Sequence, residues 1–302
     1  MIEVVEAGRW TTIQDRGRPG LERFGIPSGG AADWFAAAVA NRIVGNHEDA
    51  ALLECTAAGP TLRFEADAVV AVTGGQSAGV ANWQAVPIAR GSSLAVGAIA
   101  SGLRTYVAIR GGIDVPLVLG SRSFCQRGAF GGGFGRPLAK GDALATGWMA
   151  ELEPISAPWP ESHRPPAHGP WEVRVIAGPH DDGFGADALQ RLSATACRVT
   201  PQIDRMGLRL ETPALRLQPQ EILTMPMTAG AIQVTPSGGL IVLHVDHQST
   251  GGYPVIATVV SADLPLLAQA RPGDTVRFRI VDQGEAARAW RRLTGWLDRQ
   301  SS

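Results

Sequence analysis

The sequence predicts a mainly β protein with a few helices, built as two tandem antiparallel barrels or compressed sandwiches. Three observations carry this. The chain has 302 residues, about twice the usual domain length, with 45% apolar and 18% charged residues, so either half can bury its own core. Five landmarks of the first half return in the same order in the second. Gln14-Asp15-Arg16-Gly17, Pro60-Thr61-Leu62-Arg63-Phe64, Gly102-Leu103 ahead of Tyr106 to Ile109, Gly111-Gly112 and Gly141-Asp142 match Asp204-Arg205-Met206-Gly207, Pro213-Ala214-Leu215-Arg216-Leu217, Gly239-Leu240 ahead of Ile241 to Val245, Gly251-Gly252 and Gly273-Asp274. Between them run short β-branched and aliphatic stretches bounded by Gly, Pro, Asp and Ser.

The expected domains are a first barrel with a helical insertion over 1–150, a proline-rich linker over 151–169, and a second barrel with a C-terminal helix over 170–302. Strands are expected at Ala68 to Val72, Thr105 to Ile109, Trp171 to Ile176, Ile241 to Val245, Val255 to Val260 and Thr275 to Ile280. One helix should run from Asp33, its cap, to Val44, stopping at Gly45-Asn46 and burying Trp34, Ala38 and Ile43. Shorter helices are expected over Glu48 to Cys55 and Ala186 to Ala194. In Glu285 to Asp298, Ala286, Trp290, Leu293 and Leu297 recur at helical spacing, which predicts a helix lying across a barrel. Pro154, Pro158, Pro160, Pro165 and Pro166 break all periodicity in the linker.

A net charge of −1 gives no electrostatic footprint for nucleic acid or an anionic membrane. No apolar run is long enough to span a bilayer, and Met1 to Glu6 has no signal-peptide pattern, so a cytoplasmic location is expected. Cys55, Cys125 and Cys197 are odd in number and widely spaced, as buried free thiols are.

Two polar clusters stand out. In Thr11 to Gly20, a carboxylate (Asp15) beside Arg16, Arg18 and glycine amides can hold an amide or an oxyanion, or can form a loop ion pair; the matching Asp204-Arg205 loop favours two equivalent loops lining one cleft. In His244 to Pro254, alternation places His244 and Asp246 on one strand face and His247 on the other. No third ligand accompanies them, so no metal is expected; Gln248, Thr250 and Tyr253 suit a neutral amide or carboxylate. Gly131-Gly132-Gly133, flanked by Arg127 and Arg136, lacks the Lys-Ser/Thr ending of a phosphate loop, and no nucleophile elbow is present.

The blocks Thr11-Thr12-Ile13-Gln14-Asp15-Arg16-Gly17-Arg18, Ala40-Asn41-Arg42-Ile43-Val44-Gly45-Asn46, Leu119-Gly120-Ser121-Arg122-Ser123, Asp204-Arg205-Met206-Gly207, Gly230-Ala231-Ile232-Gln233-Val234 and Gln248-Ser249-Thr250-Gly251-Gly252-Tyr253-Pro254 together resemble one family. It is the family of the 5-oxoprolinase C subunit, also described as allophanate hydrolase subunit 2, biotin-dependent carboxyltransferase-like, or antagonist of the kinase-autophosphorylation inhibitor. The resemblance spans about residues 3 to 280. It implies two cyclophilin-like barrels and action with B-like and A-like partner proteins in ATP-dependent opening of 5-oxoproline to glutamate. ATP is then used by the complex, with no nucleotide assigned to this chain. The alternative is transfer of a carboxyl group from carboxybiotin to a urea-like substrate, with biotin carried elsewhere because no biotin-accepting Met-Lys-Met segment is present. A third implied role is a regulatory binder of a kinase inhibitor.

By motif match, Asp15, Arg18 and Arg205 are the expected catalytic residues. Gln14, Asp204, Gln233, Gln248, Thr250 and Tyr253, with Asp246 from the polar cluster, are the expected contacts to a small amide or carboxylate. Thr224-Met225 replaces a Ser-Glu of the family pattern, Phe124 a Thr, and Thr235 a Pro, which points to altered substrate choice. The second barrel should dominate the site, with Arg205, Gln233 and Gln248 converging in one pocket.

Overall fold

The computed structural model describes residues 1–147, 150, 152–212 and 222–298, so the repeat landmark at Pro213 to Leu217 lies outside the described residues. The chain is mainly β and divides into two compact units, 1–19 with 29–167 and 20–28 with 168–302.

The first unit holds strands β1 (Ile2–Glu6), β2 (Trp10–Gln14), β3 (Leu52–Thr56), β4 (Ala58–Phe64), β5 (Ala68–Ser77), β6 (Ala85–Ile88), β7 (Ser93–Ile109), β8 (Ile113–Asp114) and β9 (Ala143–Thr146), with helix α1 (Trp34–Ile43). They form one sheet in the order β2-β3-β7-β4-β1-β9-β8, with β5 on the far half of β7 and β6 on β5. Val4, Ile13, Leu53, Leu62, Phe64, Val72, Val96 and Val107 fill its core. Asp33 caps α1 as expected, its Oδ1 accepting from Ala36 N at 2.9 Å. Phe35, Ala38 and Ile43 are buried, whereas Trp34 is half-buried.

The helix expected over Glu48 to Cys55 is a turn followed by β3. Asn41 Nδ2 donates to the carbonyls of Glu48 and Ala50 at 3.2 and 2.8 Å, and Asn46 Nδ2 donates to Ile109 O at 2.8 Å. These bonds hold 48–50 in a turn and deliver Leu52–Thr56 between β2 and β7, where both faces of the strand are covered. The described part of the proline-rich stretch groups with the first unit up to residue 167. Leu152 N and Ile155 N donate to Gly45 O and Ile43 O, and Trp159, 1% exposed, donates its backbone N–H to Trp83 O at 2.7 Å.

The second unit holds β10 (Trp171–Ala177), β11 (Cys197–Ile203), β12 (Gly207–Glu211), β13 (Met225–Pro226), β14 (Ala231–Val234), β15 (Leu240–Leu243), β16 (Thr250–Gly251), β17 (Val255–Val259) and β18 (Thr275–Ile280). Its helices are α2 (Ala188–Ala194), α3 (Leu264–Gln269) and α4 (Gln283–Asp298). Seven strands close a barrel, β10-β17-β14-β15-β12-β11-β18, and β13 pairs with β16 as a separate ribbon. Alternation sets the inside: Trp171, Val173, Val175, Leu208, Leu210, Val276 and Phe278 enter the core while Glu172, Arg209, Glu211 and Arg277 face out. In α4, Ala289, Leu293 and Leu297 are buried, but Trp290 is 40% exposed. The expected apolar stripe is therefore rotated by one position at Trp290. Glu22, in the segment that joins this unit, accepts from the Ser28 hydroxyl and from Gly20 N; the serine bond is the main cause holding its carboxyl below the usual range.

The repeat is visible at the level of single hydrogen bonds. In the first unit Val4 N donates to Asp142 O and Gly141 N to Val4 O, both at 2.8 Å; in the second, Val199 N donates to Asp274 O and Gly273 N to Val199 O, again at 2.8 Å. Gly141 and Gly273 adopt φ of 87° and 92°, a left-handed turn that a side chain would strain.

All three cysteines are buried and free. Burial pushes the Cys55 and Cys197 thiols up to about 12. At pH 8 that leaves roughly one thiolate in 10⁴, so iodoacetamide should leave both unmodified in the native protein and alkylate them after denaturation. Native labelling at the rate of a small thiol would contradict their burial. Among the described residues, no helix is long and apolar enough to cross a membrane.

Candidate functional site

A cavity of about 400 Å³ opens on the outer face of the second barrel. The sheet register explains its position. Gln233 on β14 lies opposite Ile241 on β15, and Ile241 lies opposite Arg209 on β12. Residues directly opposite in an antiparallel sheet share a face, so these three form one outward row, flanked along each strand by core residues such as Ile232, Val242 and Leu208. The ribbon of β13 and β16 lies beside this row, and Gln233 is only 1% exposed. Gln248 follows from the loop after β15, and its Nε2 donates to Gln233 Oε1 at 3.3 Å. Gln233 Nε2 points to Met227 Sδ at 3.5 Å. A Cβ at Gly251 would lie 2.8 Å from Gln233 Nε2, so glycine there is what lets the ribbon approach the carboxamide. Tyr253, 42% exposed, and Asp204 complete the polar wall.

Gln233, Gln248, Tyr253 and Asp204 therefore line one cavity, but Arg205 does not join them. Its guanidinium is buried and grips Asp246, with Nε to Oδ2 at 2.8 Å and Nη2 to Oδ1 at 3.1 Å. Asp246 N also donates to Arg205 O at 2.8 Å. The expected same-face pairing of His244 with Asp246 fails because β15 ends at Leu243. Beyond it the chain turns, with His247 N donating to His244 O, and strand parity no longer applies. His244 Nδ1 accepts from Val245 N, and His247 Nδ1 lies 2.7 Å from Gln248 O, which makes that nitrogen the donor. Thr250 is exposed in β16 and is not part of the cavity wall. Asp204 Oδ1 accepts from Met206 N at 2.7 Å and Gly207 N at 3.2 Å, so it also shapes its own turn.

In the first unit Asp15 closes the equivalent turn. Its Oδ1 accepts from Gly17 N at 2.7 Å, Ser121 Oγ at 2.6 Å and Ser123 Oγ at 2.5 Å, and its Oδ2 accepts from Arg122 N at 2.6 Å. Gln14, fully buried, bonds Thr12 Oγ1 and Phe124 O. Arg18, 3% exposed, donates to Ser123 O at 2.6 Å and stacks on Phe130. These side chains fix the loop at 121–124, which gives Asp15 and Arg18 a structural task. Arg16 faces outward and pairs with Asp49 at 3.4 Å. The glycine run at 131–133 serves close packing: a Cβ at Gly131 would meet Ser123 O at 2.2 Å, and one at Gly132 would meet Phe124 Cβ at 2.7 Å.

A family described as "Carboxyltransferase domain, subdomain A and B" matches residues 24–280. The chain belongs to that carboxyltransferase family. It is 34% identical to the C subunit of 5-oxoprolinase from Escherichia coli K12 over 299 residues, 96% of this chain and 94% of that protein. It is 35% identical to the urea amidolyase of Lachancea kluyveri over 306 residues, 92% of this chain but 17% of that much longer protein. Among solved structures it is similar to the Kluyveromyces lactis urea carboxylase, with a TM-score of 0.92 at 32% identity, over 99% of this chain and 29% of the other. TTHA0988 gives 0.81 at 34% identity, over 92% of this chain and 55% of the other.

Of the three departures expected from the resemblance, Thr235 has a local explanation in its side chain. Phe124 is buried and presents its carbonyl to Gln14. The Thr235 hydroxyl bonds Ser237 Oγ and Gly239 N, both at 3.0 Å, which closes the turn a proline would otherwise stiffen. Met225 sits in the β13–β16 ribbon opposite Gly251 and is not part of the cavity wall. Sequence reasoning missed Arg209, although the alternation of Leu208, Arg209 and Leu210 already placed it outward.

Proposed function

We propose that this chain is the C component of an ATP-dependent, lactam-opening assembly of the 5-oxoprolinase type, working with A-like and B-like partner proteins. The observation that carries the reading is the pair of carboxamides, Gln233 and Gln248, meeting on the wall of a cavity sized for a small molecule. A carboxamide donates and accepts at once, as an amide ligand requires. Correspondence with nearly the whole of the E. coli C subunit supports the same reading. Among the described residues, Arg209 is the one guanidinium on the cavity wall, and the Asp204 carboxylate lines the same cavity, so the wall does not fit a triphosphate; no nucleotide step is assigned to this chain. Its own residues bind and orient the amide, with Gln233 held by the ribbon and Tyr253 offering a phenol at the mouth.

The test is reconstitution with the A-like and B-like partners. Glutamate and ADP should appear together from 5-oxoproline and ATP, and Gln248→Ala should lower kcat/KM by about tenfold, the worth of one buried hydrogen bond to substrate. Absence of ATP-dependent glutamate formation in a complex that assembles would sink the proposal. The second reading, carboxyl transfer from carboxybiotin to a urea-like substrate, is favoured by the close structural similarity to urea carboxylase. Urea-dependent loss of carboxybiotin in the same assay would select it.

A further inference from the structure

Arg209 is the cationic side chain on the cavity wall that sequence reasoning did not assign. Among the described residues no carboxylate lies within 4.0 Å of it, and it donates no hydrogen bond there. Within the motif blocks, Arg205 is committed to Asp246, Arg18 to Ser123 O, Arg16 to Asp49, and Arg122 to Val115 O and Asp114. Arg209 stands in the same cross-strand row as Gln233, two strands away, which separates the two backbones by about 10 Å. Ile241 stands between them in that row, so a small molecule that meets both side chains lies over Ile241 in the cavity that all three line.

We propose that Arg209 reads a carboxylate on the bound amide, so that the cavity takes an anionic lactam in preference to a neutral urea. The inference rests on the lactam reading above and narrows it to a substrate with two ends. The carboxamides of Gln233 and Gln248 hold the amide, and the guanidinium takes the carboxylate in a charge-assisted, two-point bond that neither an amide nor an ammonium reproduces. Asp204 follows β11, which pairs with β12 on the side away from Gln233, and its Oδ1 is turned to its own loop, so Arg209 is the group on the wall that takes the anionic end. Urea has no group for this arginine.

The test compares two probes that differ only in the carboxylate, L-5-oxoproline and 2-pyrrolidinone, by calorimetry on the full chain and on the reconstituted assembly. The native protein should bind 5-oxoproline at least 10-fold more tightly than 2-pyrrolidinone. Arg209→Gln should erase that preference, and Arg209→Lys should restore part of it, while the melting temperature of each variant confirms the fold. Equal affinity for the two probes, binding of neither, or a preference that survives in Arg209→Gln overturns the assignment. Failure of the lactam-opening reading is seen separately, as absence of ATP-dependent glutamate formation. A preference for 5-oxoproline that depends on Arg209 would stand even then.

Discussion

Replacing Asp246 with alanine should cost about 3–5 kcal/mol of folding stability, the effect of removing one partner from a buried ion pair. The carboxylate bonds both Nε and Nη2 of Arg205, and the two residues are 2% and 4% exposed. Equilibrium urea unfolding measures the loss directly. The double change Arg205→Met with Asp246→Leu should recover most of it, because apolar side chains of similar volume replace a buried pair with little net cost. A loss below about 1 kcal/mol in Asp246→Ala would show that the pair does not hold the loop after β15. The pair joins the Asp204 loop to the loop that carries Gln248, so its removal should also weaken ligand binding, through displaced side chains.

Asp15→Ala should destabilise the first unit by about 3 kcal/mol. Four donors lose their acceptor at once, and the Ser121 and Ser123 hydroxyls are fully buried; each stranded donor costs roughly 1–3 kcal/mol, partly recovered by relaxation. Gln248→Ala, at a half-exposed position, should move stability by no more than about 0.5 kcal/mol while lowering turnover. That contrast separates a side chain that builds a loop from one that meets a ligand. Turnover lost in Asp15→Ala with an unchanged unfolding curve would return Asp15 to the catalytic role that the motif alone suggests.

Much of the fold is legible in the sequence because its signals are local. The strand Thr275–Ile280 reads to its limits from alternating residues between turns, and Asp33 announces its helix by its capping chemistry. The strand Leu52–Thr56 does not, since four successive buried residues have no alternation to distinguish a covered strand from a short helix. The site is half legible. Gln233, Gln248, Tyr253 and Asp204 stand out in the motifs and do share a cavity. An Asp-Arg-Gly loop reads equally well as a reactive cluster or as a turn whose carboxylate caps backbone N–H groups, and the sequence does not show that Ser121 and Ser123, more than 100 residues away, both donate to Asp15. Arg209 is hidden for another reason. Alternation shows that it faces outward, but only the register shows that a ribbon and two carboxamides turn that stretch of surface into a cavity.

The second barrel is closed by the parallel pairing of β10 with β18, which sets Trp171 beside Val276 and Val175 beside Ile280. On a ribosome, the first strand of this unit emerges long before the strand that seals it, and nearly the whole unit must be threaded before the seam can form. Until then β10 and β11 each present a bare hydrogen-bonding edge. Premature termination before Thr275 would leave both edges open for good, so such fragments should collect as aggregates rather than as soluble half-barrels.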